Sequence, residues 1–177
     1  MVAGRSTQPL AVFKMSVPEL TFEDLLAPID DLGEGDALES WRWLVGPGSR
    51  PLLMTALCDV FVLMASGEVC FIDTYEGTLK PAGTSYDDWK QRLKDQQNII
   101  AWFSPGLVEA MRERGVFLSH GQCYSPIVPP VVGGEMSPDN MEASLWKVHF
   151  YPTGQIHEQI LKLPEGTPIE GFKIKWK

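Results

Sequence analysis

The chain has 177 residues, 44% of them hydrophobic and 21% charged, with six Trp and eight Phe available to fill a core. That length and composition suit one globular domain that needs no staples. A formal net charge of −8 opposes binding to a phosphate backbone, so no nucleic-acid partner is expected, and a basic protein is the partner that such a surface suits.

Residues 1–16 read as an irregular tail ahead of one domain over 17–177. An acidic stretch follows. Glu19, Glu23, Asp24, Asp30, Asp31, Glu34, Asp36 and Glu39 occur without a Lys or Arg among them. Within it, Thr21 with Asp24, and Asp36 with Glu39, have the spacing of helix N-caps, and Gly46-Pro47-Gly48 stops the second helix. Residues 52–56, 59–64, 69–73 and 78–81 are apolar or alternating runs separated by Ala65-Ser66-Gly67 and Tyr75-Glu76-Gly77. Runs of this length joined by Gly turns predict an antiparallel meander.

The apolar period then lengthens. Ser85 followed by Asp88 caps a helix carrying Trp89, Leu93 and Ile100. Ser104-Pro105 starts another, with Leu107 and Met111 on its buried stripe and Gly115 at its end. Residues 119–138 read as a long loop. Residues 144–151 alternate, with Trp146, Val148 and Phe150 on one face. Pro152-Thr153-Gly154 looks like a hairpin turn, returning over 155–161, and an edge strand is expected over 169–176. The fold class predicted is α+β, a central antiparallel sheet with helices packed on one side.

Cysteines number three, an odd count, and Cys58 and Cys70 lie in apolar runs. Reduced, buried thiols and a cytoplasmic location are expected. Residues 1–15 have no apolar leader pattern, and the apolar stretch 51–65 is broken by Cys58-Asp59, so no membrane segment is expected.

No catalytic motif is present: no Gly-x-Ser-x-Gly, no phosphate loop, no dinucleotide fingerprint. His157-Glu158 lacks the second histidine of a zincin, because Leu161 stands in its place. Asp59 and Asp73 sit at strand ends, where carboxylates cap turns, although a pair so placed is also the raw material for acid–base work. In the expected hairpin, His149 faces His157. With His120 and Cys123 they would form a metal-dependent site, the alternative to a non-catalytic binding protein. The ligand spacing matches no compact zinc signature, so neither metal nor cofactor is expected. A regulatory or scaffold role is a third reading.

Two sets of residues point further. Thr55-Ala56-Leu57-Cys58-Asp59-Val60-Phe61, with Gly67-Glu68-Val69-Cys70-Phe71-Ile72-Asp73 and Gly77, resembles the C-terminal domain family of type VI secretion DNase-immunity proteins. It resembles the SUKH-type immunity proteins more distantly. The family pattern has Gly where this chain has Cys58. Gly121-Gln122-Cys123-Tyr124, Pro129-Pro130, Gly133-Gly134-Glu135, Asn140, His149-Phe150 and Gly154-Gln155-Ile156-His157-Glu158-Gln159 resemble one branch of that group. The resemblance implies an α+β immunity protein that binds and blocks a cognate toxin, with no catalytic residues. The acidic residues Asp30, Asp31, Glu34 and Asp36 are the candidate docking surface for a basic partner. Gln122, Tyr124, His149 and His157 are the competing set around the long loop.

Overall fold

A computed structural model describes residues 19–164, 167–168 and 171–176. The tail expected over residues 1–16 lies outside the described residues. Four strands form an antiparallel sheet in chain order, the central two rich in β-branched and aromatic residues: β1 (Arg50–Met54), β2 (Val60–Leu63), β3 (Val69–Asp73) and β4 (Thr78–Gly83). The glycine turns lie where the sequence predicts. Gly67 adopts φ +94 between β2 and β3, and Gly77 adopts φ +68 between β3 and β4. Between β1 and β2, Cys58 takes φ +71, a left-handed conformation that glycine adopts without steric cost. Cys58 thus holds the turn in a conformation that usually favours glycine.

The sheet is buried on both faces, and the period of 2 sorts its side chains. Val60, Val62 and Ile72 pack with Trp41, Trp146 and Phe150. Phe61, Val69 and Phe71 pack with Trp89, Phe103, Val108 and Tyr124. The second face is covered by α2 (Tyr86–Arg92), α3 (Gln96–Phe103) and α4 (Pro105–Glu113). Each helix starts on a local signal. The Ser85 hydroxyl accepts from the Asp88 N–H, the Asp95 carboxylate accepts from the Gln97 N–H, and Pro105 opens α4. Ile100, expected on the buried stripe, is exposed because Asp95 starts a new helix and shifts the phase.

The first face is covered by a 3-10 turn at Glu39–Trp41, by α1 (Arg42–Val45) and by α5 (Trp146–Leu161). This corrects the hairpin expected over 144–161. Burial there follows a helical period: Trp146, Phe150 and Gly154 are buried at spacings of four, while Val148 is 52% exposed. The α+β class with a central antiparallel sheet is as the sequence implies. Helices cover both faces rather than one because the region read as a hairpin is a helix.

The long loop of 119–138 also contains more order than its composition suggests. Within it, β5 (Gln122–Pro126) pairs with β6 (Met141–Leu145) as a two-stranded antiparallel ribbon, Gln122 opposite Leu145 and Pro126 opposite Met141. The described part of the expected edge strand, residues 171–176, joins neither sheet.

Candidate partner-binding surface

The acidic stretch folds against α5, and that contact decides which of its carboxylates face outward. Asp31 accepts from the Trp146 indole at 3.0 Å and pairs with Lys147, so it ties the acidic stretch to side chains of the first turn of α5. The Lys147 ammonium and the indole hold its carboxyl below the ordinary range. Asp36 pairs with Arg42 at 2.6 Å, and the Arg42 guanidinium also donates to the Gly46 and Ser49 carbonyls. Asp30 and Glu34 are differently placed. The Asp30 side chain is 93% exposed, 4.0 Å from His120, and Glu34 is exposed.

Three segments meet beside the start of α5. The Gly121 N–H donates to the Pro28 carbonyl at 2.9 Å, and the Trp146 N–H donates to the Gly121 carbonyl at 3.0 Å. Asp30, Asp31, His120 and Gln122 are thereby gathered at one corner. Next to it runs a groove of about 820 Å³ whose lining includes Glu34, Asp36, Lys147, Val148, Tyr151 and Trp176.

The rest of that groove wall is unusual. Gln155 and Gln159, one helical turn apart, each clasp the backbone of one residue of the C-terminal segment. The Lys175 N–H donates to the Gln155 side-chain oxygen at 2.8 Å, and the Gln155 amide donates back to the Lys175 carbonyl at 3.1 Å. Gln159 makes the same pair of bonds to Lys173, at 3.0 and 3.1 Å. The two amides reproduce the hydrogen-bonding edge of a β-strand, so an extended segment is held without joining a sheet.

The remaining sequence-derived candidates are placed elsewhere. Tyr124 lies in the core, 1% exposed, its hydroxyl donating to the Val116 carbonyl. His157, on α5, turns its ring to the β3–β4 turn. Its Nε2 is 3.1 Å from the Thr74 carbonyl, so that nitrogen carries the proton, and Gly77 leaves the room its ring occupies: a Cβ there would stand 2.2 Å from Nδ1. Burial, with His157 nearby, pushes His149 down to about 4, and burial also lowers His157. Both imidazoles are neutral at pH 7.

The four residues of the metal-site alternative are not brought together. His120 is exposed at the acidic corner, Cys123 is buried beside Cys58, and the other two lie along α5. Among the described residues no group of three or more His, Cys, Asp or Glu is arranged to hold a metal ion. Asp59 and Asp73 act as caps. Asp59 accepts from the Thr74 N–H and hydroxyl, and Asp73 accepts from the Glu76 N–H and pairs with Lys80. The buried clasp of Asp59 and the glutamine clasp on α5 were not legible in the sequence, because each joins residues at least fourteen positions apart.

Residues 83–157 match the family model of the T6SS immunity protein Tdi1, C-terminal. The resemblance read from the sequence to type VI secretion immunity proteins therefore holds over α2 to α5. The matched segment contains the β5–β6 ribbon and most of α5. Among solved structures, the crystal structure of Atu4351 from Agrobacterium tumefaciens is similar, at 14% identity and a TM-score of 0.44. The similarity covers 66% of this chain and 61% of that one. No curated protein matches the chain. No helix among the described residues is long and apolar enough to cross a membrane.

Proposed function

We propose that this chain is an immunity protein that neutralises a cognate secreted toxin by direct protein–protein contact, without catalysis. The observation that carries the reading is the Tdi1 match over residues 83–157. The toxin in question is the effector encoded beside this chain, it is basic, and the encounter takes place in the cytoplasm of the producing cell. Asp30 and Glu34 are the carboxylates of the acidic stretch that steer the encounter. Asp31 and Asp36, tied to Lys147 and Arg42, shape the corner on which they sit. Gln122 borders the same corner, and the Gln155–Gln159 wall extends it along α5.

Exposed carboxylates facing a basic surface raise the association rate, and salt screens the effect. The test has two parts. Co-expression of the chain should protect a susceptible cell from the toxin, and Asp30→Lys with Glu34→Lys should slow association about tenfold at low salt, with the gap closing at high salt. A chain that neither binds the toxin nor protects the cell would refute the immunity role. Protection with unchanged association in the double variant would remove the acidic corner from the interface.

A further inference from the structure

We infer that the loop over residues 127–140, at the far end of the β5–β6 ribbon from the acidic corner, is a second and apolar contact surface for the same toxin. It would set the lifetime of the complex rather than the rate of its formation. The inference rests on the proposed immunity function and locates a partner surface within it.

The loop presents four large apolar side chains to solvent: Ile127, Val128, Val132 and Met136 are 56%, 44%, 52% and 41% exposed. Exposed apolar residues scattered singly need no explanation, but four within ten residues on one folded loop do. The loop is also held rigid. The Asn140 carboxamide accepts from the Val128 N–H and donates to the Val128 and Glu135 carbonyls, each at 2.9 Å. The Ile127 N–H donates to the Asn140 carbonyl at 2.8 Å, and the Tyr75 hydroxyl reaches in from the β3–β4 turn to the Gly134 carbonyl. Gly134 lies so close that a Cβ would stand 1.7 Å from the Val128 carbonyl oxygen. Pro126, Pro129 and Pro130 remove further freedom. None of this bonding buries the four apolar side chains. A loop ordered at this density while its hydrophobic groups face water has the form of a preorganised docking element, whose ordering entropy is spent before the partner arrives.

Charge identifies the occupant. Between Gly115 and Trp146 the chain has no Lys or Arg, and the exposed charges around the loop are Glu135, Asp139 and Glu142. From outside that span Arg114 reaches the loop and is paired with Asp139 at 2.8 Å, which leaves Glu135 and Glu142 as its acidic rim. A partner that covers the apolar loop thus meets an acidic rim and needs a hydrophobic recess flanked by basic groups. A second copy of this chain would bring a like-charged rim, so the basic toxin is the better fit.

The division of labour makes the inference separable from the proposed function. Val132→Asp with Met136→Asp places charge in the apolar contact without touching the Asn140 bonds. We expect dissociation from the co-encoded toxin to speed up about thirtyfold, while association with the basic partner is no slower than for wild type, because the added charges are of the attractive sign. Val132→Ala with Met136→Ala, which adds no charge, should give a smaller acceleration of the same kind. Circular dichroism and thermal melting check that each variant folds, and only a variant with the wild-type melt is scored. If wild-type chain binds the toxin and a folded Val132→Asp, Met136→Asp variant dissociates at the wild-type rate, the loop is not in the interface. If sedimentation instead shows a wild-type dimer that the variant breaks, the loop is occupied by a second copy and the proposal is overturned. If the wild-type chain does not bind the toxin at all, the immunity reading falls and this inference falls with it.

Discussion

Gly154→Ala puts the helical assignment of α5 and its packing to a single test. In the interior of a solvent-facing helix this substitution stabilises by about 1 kcal/mol, since glycine carries more backbone entropy into the unfolded state. Here the added Cβ would stand 2.5 Å from the Ser40 carbonyl oxygen and 2.9 Å from its carbon, both backbone atoms. The same approach lets the Trp43 indole donate to the Gly154 carbonyl at 3.0 Å and the Trp41 indole to the Phe150 carbonyl at 3.1 Å, one helical turn apart. Forcing a methyl group into a filled site costs about 1–3 kcal/mol, and a backbone obstacle cannot rotate away, so the upper part of that range applies. Net of the propensity gain, we expect a loss of about 1–2 kcal/mol, which for a chain of this size lowers the melting temperature by roughly 2–8 °C. Val148→Ala is the paired control. On the exposed face of a helix it should be neutral or stabilise by up to about 0.5 kcal/mol. On a buried strand face it would cost at least about 1 kcal/mol. Urea unfolding followed by tryptophan fluorescence measures both. A Gly154→Ala protein as stable as wild type, or a clearly destabilised Val148→Ala protein, would refute the packing of α5 given above.

Two further predictions concern groups away from the docking surfaces. Burial beside Asp73 pushes the Asp59 carboxyl up to about 7, so the folded state keeps a proton that the unfolded chain loses near pH 4. Stability from this group is therefore full at low pH and falls as pH rises from about 4 to about 7, by up to about 4 kcal/mol. His149, pushed down to about 4, works in the opposite sense, adding up to about 3 kcal/mol as pH rises from about 4 to 6.5. Wild-type stability should be nearly flat over that shared window, whereas Asp59→Asn should gain stability across it; parallel curves for the two proteins in urea titrations from pH 4.5 to 8 would exclude the buried-carboxyl account. Gln155→Ala with Gln159→Ala removes the four side-chain bonds to the backbone of Lys173 and Lys175. Amide exchange at Lys173 and Lys175 should rise at least tenfold while exchange in β2 and β3 stays unchanged, and equal protection at the two lysines would show that other contacts hold the segment.

What this sequence determined by itself is local. The strands β1 to β4 and their glycine turns follow from short apolar runs and from positions that need positive φ, and the starts of α2 and α4 follow from Ser85 and from Pro105. A capping hydroxyl or a left-handed turn acts over three or four residues, so its signal is legible without the rest of the fold. The acidity of residues 19–39 was equally plain. Tertiary structure decided the rest. Pro152-Thr153-Gly154 reads as a turn because proline and glycine are the residues that break helices, yet α5 runs through them. Its carbonyls at 150 and 154 are engaged by Trp41 and Trp43, and Gly154 is required by the backbone of Ser40, over a hundred residues earlier. Likewise, composition could count the carboxylates but not sort them. Asp31 is taken by Lys147 and Asp36 by Arg42, while Asp30 and Glu34 are left facing solvent, and that sorting exists only once α5 has packed against the first face of the sheet. Local propensity is a preference of about 1 kcal/mol for glycine and about 3 kcal/mol for proline in a helix interior, and contacts made across the whole chain override it.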